Sequence, residues 1–134
     1  MAHGTQKLFG WFGGPGIPGT TKMMASLDLY PPKANAYAAG ISEAGSGLLF
    51  ALGLGTPAAS AGLIGVMTTA IKTVHWKNGF WNSKGGYEYN LVLIAALAAM
   101  AESGAGDLSL DHLLGLERKG TRYALAATAV GVTG

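Results

Sequence analysis

Between Lys33 and Lys72 the chain carries one charged side chain, Glu43, in a run of apolar and small residues. The run is interrupted once, at Gly55-Thr56-Pro57, into two segments that each approach the ~20 residues a bilayer-spanning helix requires. On the first, from about Ala34 to Leu54, Ala36, Gly40, Glu43 and Gly47 recur at helical spacing. The carboxylate therefore shares a face with small residues, and such a face meets another helix. The second, from Ala58 to about Val74, places Ala58, Gly62, Gly65, Thr69 and Lys72 on one face. Thr56 reads as the cap of this helix and Pro57 as its first residue. An antiparallel hairpin would put Glu43 and Lys72 roughly 18 and 22 Å from the turn, at ~1.5 Å of rise per residue. An ion pair between them is expected; the alternative is that Lys72 extends alone to the interface.

The flanking segments are shorter. Residues 8–20 are punctuated by Gly and Pro and carry Phe9, Trp11 and Phe12. Thr20 is placed to cap a helix over 21–30 on which Met23, Met24 and Leu27 share a face, and Pro31-Pro32 stops it. This piece is too short to span and is expected to lie in the interface. After span B, residues 75–90 form a polar, aromatic and glycine-bearing loop. A third apolar run, Leu91 to Ala101, lies between Glu88 and Glu102. Ser109 caps an amphipathic surface helix through Leu114, and Tyr123 to Val132 is a weak apolar tail. The expected architecture is all-α: a single domain over 1–134, with three spans in 34–106, a residual helix end and interfacial segment in 1–33, and an amphipathic tail in 107–134.

Composition agrees with a membrane chain. Charged residues make up 12 % of the sequence, about half the ~25 % usual in soluble domains, and mean hydropathy is +0.31. The net charge of +2 is too small and scattered for a nucleic-acid footprint. With no cysteine, the chain has no disulfide, thiol relay, iron–sulfur ligand or covalent haem attachment of its own. Redox chemistry would use a bound carrier or a partner subunit. The first residues hold no apolar run of the signal-peptide kind. A soluble helical protein that buries the hairpin is a further reading.

If the two spans form a hairpin, its ends bring all the aromatics but Phe50 and Tyr123 to one side. His3, His75 and the lysines from Lys7 to Lys84 join them. Part of this is an ordinary aromatic belt. Glu43 is a candidate proton relay or ligand, because a carboxylate at membrane depth is costly without a purpose; the plainer reading is an interhelical hydrogen-bond anchor. Glu88 either serves acid–base chemistry or favours the start of its helix through the free N–H groups and dipole. His75 is either solvated at the interface or part of a site with the neighbouring loop. Tyr87 and Asn90 either contact a ligand or fix that loop. His3, Glu43, His75 and Glu88 show no metal-ligand spacing, and no phosphate loop, nucleotide fingerprint or Ser/His/Asp arrangement is present.

The stretch from Ala2-His3-Gly4-Thr5-Gln6-Lys7 to Gly13-Gly14-Pro15-Gly16 resembles the signature that closes the first helix of the DoxX family. Gly40-Ile41-Ser42-Glu43-Ala44-Gly45-Ser46-Gly47 and the loop from Asn78-Gly79-Phe80 to Tyr87-Glu88-Tyr89-Asn90 resemble the same family in order, so that the likeness covers roughly residues 2–115. It implies a four-helix bundle in a bacterial- or archaeal-type inner membrane. The family is described as a membrane subunit or component of oxidoreductase systems, including the thiosulfate:quinone type. It also implies a complete apolar helix before the His-Gly-x-Gln-Lys motif; here His3 opens the motif, so most of helix one is expected to be absent from this sequence.

On this reading Glu43, His75 and Glu88 are the catalytic candidates. His3, Lys7, Lys72, Asn78, Tyr87 and Asn90 are candidates for binding a carrier, with a quinone as the small-molecule expectation. The expected partners are the lipid bilayer and soluble redox subunits. The alternative function is a non-enzymatic membrane scaffold that anchors such partners.

Overall fold

Glycines in the left-handed region and prolines in first turns divide the chain into seven α-helices without a strand; the computed structural model describes residues 1–134. The expected all-α class is thus observed. The helices gather into two compact units, Met1–Leu48 and Leu49–Gly134.

The first unit holds α1 (Ala2–Phe9), α2 (Gly16–Ser26) and most of α3 (Pro32–Leu52). Helix α1 runs antiparallel to α3, with Met1 against Gly47, Gly4 against Ala44 and Leu8 against Gly40. A Cβ on Gly4 would come within 2.3 Å of the Ala44 backbone nitrogen, so only glycine permits this approach. The buried residues Ala36, Gly40, Glu43 and Ser46 lie on the face that the spacing of small residues marked. Gly10, at φ 72°, ends α1 and donates its N–H to Gln6 O at 3.1 Å.

Helix α2 starts earlier than expected. Pro18 occupies its first turn, where a missing N–H costs nothing, and Thr20 falls inside the helix instead of capping it. Its buried hydroxyl sits within hydrogen-bond reach of Gly16 O (2.7 Å) and Lys7 O (3.2 Å), the second of these on α1. Pro32 begins α3.

In the second unit, α4 (Thr56–Ala70) continues through a π-helical turn, Ile71–His75, and a 3-10 turn, Trp76–Asn78. Helices α5 (Glu88–Ser103) and α7 (Thr121–Thr133) pack on α4 and on each other, with the single-turn α6 (Leu110–Leu113) between them in sequence. Ile64 and Ala59 are fully buried, and Ala101, Ala124 and Ala127 form a buried cluster with Ala61 packed against it. Gly131 makes the closest crossing: a Cβ there would lie 2.6 Å from Ile64 Cβ and 2.7 Å from Ala61 O. The segment expected as a weak tail is therefore a packing element, because Ala124, Ala127 and Gly131 form a small face. The buried face of α4 also differs from expectation. It holds Thr56, Ala59, Ser60 and Ile64, whereas Ala58, Thr69 and Lys72 are exposed. A helix that is apolar nearly all round does not announce which side its neighbours will cover.

At the start of α4 the cap is Gly55, and the buried Thr56 hydroxyl has no partner. The Gly55 N–H donates to both carboxylate oxygens of Asp111 (2.9 and 3.0 Å), and the Asp111 N–H donates to Gly53 O (3.0 Å). Ser109 caps α6 as expected, accepting from the His112 N–H at 3.2 Å.

No helix is long and apolar enough to cross a membrane, which corrects the expectation of three clear spans. Helix α3 has the length, with 21 residues, but carries Lys33, Asn35, Ser42, Glu43 and Ser46. The widened turn at Ile71 ends regular α4 after 15 residues, and α5 stops at 16, bounded by Glu88 and Glu102. Nevertheless, the apolar distribution is inverted relative to a water-facing protein. Met24 and Ile64 are the large apolar residues in the core, while Ile41, Val92 and Leu125 are 58 %, 60 % and 66 % exposed. Buried positions instead take Thr20, Ser46, Ser60 and Asn90. Large exposed apolar faces require cover by lipid or protein.

Overpacking at a close crossing typically costs about 1–3 kcal/mol. Gly4→Ala and Gly131→Ala are each expected to destabilise the protein by that order in detergent, followed by circular dichroism through a denaturant series. Gly45→Ala, where an added Cβ meets nothing within 4 Å, is expected to leave stability unchanged or raise it.

Candidate functional site

In the first unit, Glu43 is buried, its side chain 8 % exposed, and its Oε1 accepts a hydrogen bond from Lys7 Nζ. Lys7 is 22 % exposed. The expected pairing of Glu43 with Lys72 is corrected: Lys7, one helical turn from Gly4 on α1, takes that place because the glycine contacts bring α1 onto the Glu43 face. The motif around Lys7 was visible in the sequence, but its partner depends on the register between α1 and α3. Glu43 Oε2 is buried without a hydrogen-bond partner. The arrangement can hold one carboxylate oxygen by charge and leave the other to accept a proton or a hydroxyl. His3 lies on the same helix but is exposed, its Nδ1 3.1 Å from Gln6 Oε1.

In the second unit, the structure brings His75, Asn78, Tyr87 and Glu88 into one loop cluster. The His75 Nδ1–H donates to Gly85 O at 2.7 Å, since a carbonyl can only accept, and this tautomer leaves Nε2 free as an acceptor. Asn78 Nδ2 donates to the same carbonyl at 3.2 Å. Tyr87 stacks on Trp76 (5.3 Å between centroids) and meets Phe80 edge-on. Backbone bonds from Tyr87 N to Gly79 O and from Glu88 N to Phe80 O close the loop. Glu88 stands in the first turn of α5, and its Oε2 accepts from Asn82 N–H at 3.0 Å. It ties down the loop and makes no side-chain cap on its own helix. Asn90 is buried apart from this cluster, donating to Met67 Sδ at 3.5 Å. Lys72 is exposed on the π-helical turn.

A third cluster escaped sequence reasoning. Asp107, His112 and Glu117 converge around α6, with the His112 Nδ1–H hydrogen-bonded to Glu117 Oε1 at 2.9 Å. The five-residue step from His112 to Glu117, turned through Gly115 (φ 64°), is the signal that could have shown it. The His112 hydrogen bond, outweighing the opposing effect of burial, and then the Lys119 charge hold the Glu117 carboxyl below the usual glutamate range.

Large apolar side chains facing outward over small and polar contacts define a helical protein suited to a nonpolar environment. The chain belongs to the DoxX family: the DoxX family model matches residues 1–76. That family is generally membrane-associated, which supports a membrane localisation. The match takes in Lys7, Glu43 and His75, whereas the loop Asn78–Asn90 lies beyond it. No curated protein and no solved structure matches the chain.

Removing one partner of a buried ion pair typically costs about 3–5 kcal/mol. With Lys7 part-exposed, Lys7→Met is expected at the low end, about 3 kcal/mol, read by denaturant unfolding. The double variant Lys7→Met/Glu43→Leu should recover most of the loss. For Glu117, a carboxyl with a lowered folded value stabilises above its unfolded titration range, and that contribution fades as pH falls through the folded value. Side-chain NMR titration should therefore place Glu117 below an ordinary glutamate, and His112→Ala should return it upward.

Proposed function

We propose that the chain is the membrane-embedded component of a quinone-linked oxidoreductase system of the thiosulfate:quinone kind. The observation that carries this reading is the Lys7–Glu43 pair, with a buried carboxylate oxygen left unpartnered. A buried carboxylate poised in this way is suited to handling a proton. The setting is an inner membrane of bacterial or archaeal type, with soluble redox subunits as partners. In its own unit, the loop cluster offers what an aromatic carrier recognises: the stacked Trp76 and Tyr87 beside the free Nε2 of His75. The carrier would lie against these rings, and its reduced form, a quinol, would donate a hydroxyl hydrogen bond to Nε2.

A second reading, a non-enzymatic scaffold for soluble redox partners, is favoured by the engagement of Glu88 with Asn82 and of Asn90 with Met67. Both side chains then serve the fold of the loop and α5.

The two readings part in a reconstituted membrane supplied with thiosulfate, the soluble fraction of the same cells and decylubiquinone. Glu43→Gln is expected to lower quinone reduction by ~100-fold or more, the usual range for a general acid or base. His75→Ala should weaken saturable quenching of tryptophan fluorescence by the quinone. Full activity in both variants would leave the scaffold reading standing and remove Glu43 and His75 from the chemistry.

A further inference from the structure

We propose that Asp107, His112 and Glu117 form a surface site for a single divalent cation of the zinc, nickel or manganese class. An imidazole nitrogen with two carboxylates is a donor set for borderline divalent metals, and the nitrogen separates it from an ordinary acidic patch. One donor atom from each residue lies within 4.8 Å of the other two. His112 Nδ1 is 2.9 Å from Glu117 Oε1 and 3.8 Å from Asp107 Oδ1. Ligands about 2.0–2.2 Å from a tetrahedral metal stand about 3.3–3.6 Å apart, so side-chain rotations suffice to close the set.

The platform beneath these residues is fixed. Ser109 and Asp111 are buried, and Asp111 is held to the turn before α4 by the Gly55 N–H. His112 therefore projects from an anchored helical turn. Asp107 and Glu117 approach from the segments on either side of it, and all three are exposed to an incoming ion. Lys119 Nζ, 3.6 Å from Glu117 Oε2, contacts the oxygen that the site does not use. Binding at His112 Nδ1 would place the imidazole hydrogen on Nε2, and water would complete the coordination. The ion would cross-brace residues 107–117, the connection between α5 and α7, without drawing on Glu43 or His75.

The test uses the full chain in detergent with zinc, nickel and manganese salts, followed by isothermal titration calorimetry and by competition with a chromophoric chelator. One ion per chain at micromolar affinity is expected. Asp107→Asn, at a fully exposed position that cannot disturb folding, should weaken binding at least tenfold, and His112→Ala should abolish it. His3→Ala and His75→Ala should leave it unchanged. Absence of stoichiometric binding with any of the three metals, or binding that survives Asp107→Asn and His112→Ala undiminished, overturns the proposal.

Discussion

At Gly4, Gly14 and Gly131 a single added carbon would run into atoms of the neighbouring segment at under 3 Å. The rest of the structure depends on that close approach. With backbones this near, the contacts between helices are made mostly by alanine, serine, threonine and glycine, with Leu8 and Ile64 seated against Gly40 and Gly131. The large side chains are consequently directed outward. Attraction between such surfaces comes from dispersion and interhelical polar contacts rather than from hydrophobic burial. This favours helices that assemble where the surroundings are themselves nonpolar, in keeping with the family's association with membranes.

The same constraint sets the chemistry of the first unit. Only because Gly4 lies on Ala44 does Lys7 arrive beside Glu43, and only because that contact excludes larger groups is the carboxylate buried. A buried charge needs a partner, so the ion pair locks the register that the glycines permit. The second unit uses polar groups differently. His75, Asn78 and Glu88 fold a loop, and Asp111 pins α6 to the Gly53–Gly55 turn. The part of the loop cluster free of such bonds is the unengaged edge of His75 and the aromatic stack beside it.

Much of this was legible in the chain. The period of Ala36, Gly40, Glu43 and Gly47 marked the α3 face correctly, since a row of small residues around one carboxylate is a strong local signal. Ser109 was readable as a cap because capping involves residues three apart. Other positions resisted. Thr20 resembled a cap yet sits inside α2, because prolines tolerated in the first turn let the helix begin sooner. Lys72 and Lys7 were both available to Glu43, and spacing along the chain does not choose between helices. The meeting of Asp107, His112 and Glu117 depends on glycine turns whose path has no periodic signature.

The sequence alone determined the helical class, the helix-bounding glycines and prolines, the small-residue face with its carboxylate, and the family motif, because each rests on residues a few positions apart. Tertiary structure decided which lysine pairs with Glu43, which side of α4 is buried and that the last apolar segment is a packed helix. It also decided where His75 and Glu88 spend their hydrogen bonds. Those outcomes turn on the distance between separate backbones. Glycine makes a close approach possible at many places, and only the assembled helices select the places where it happens.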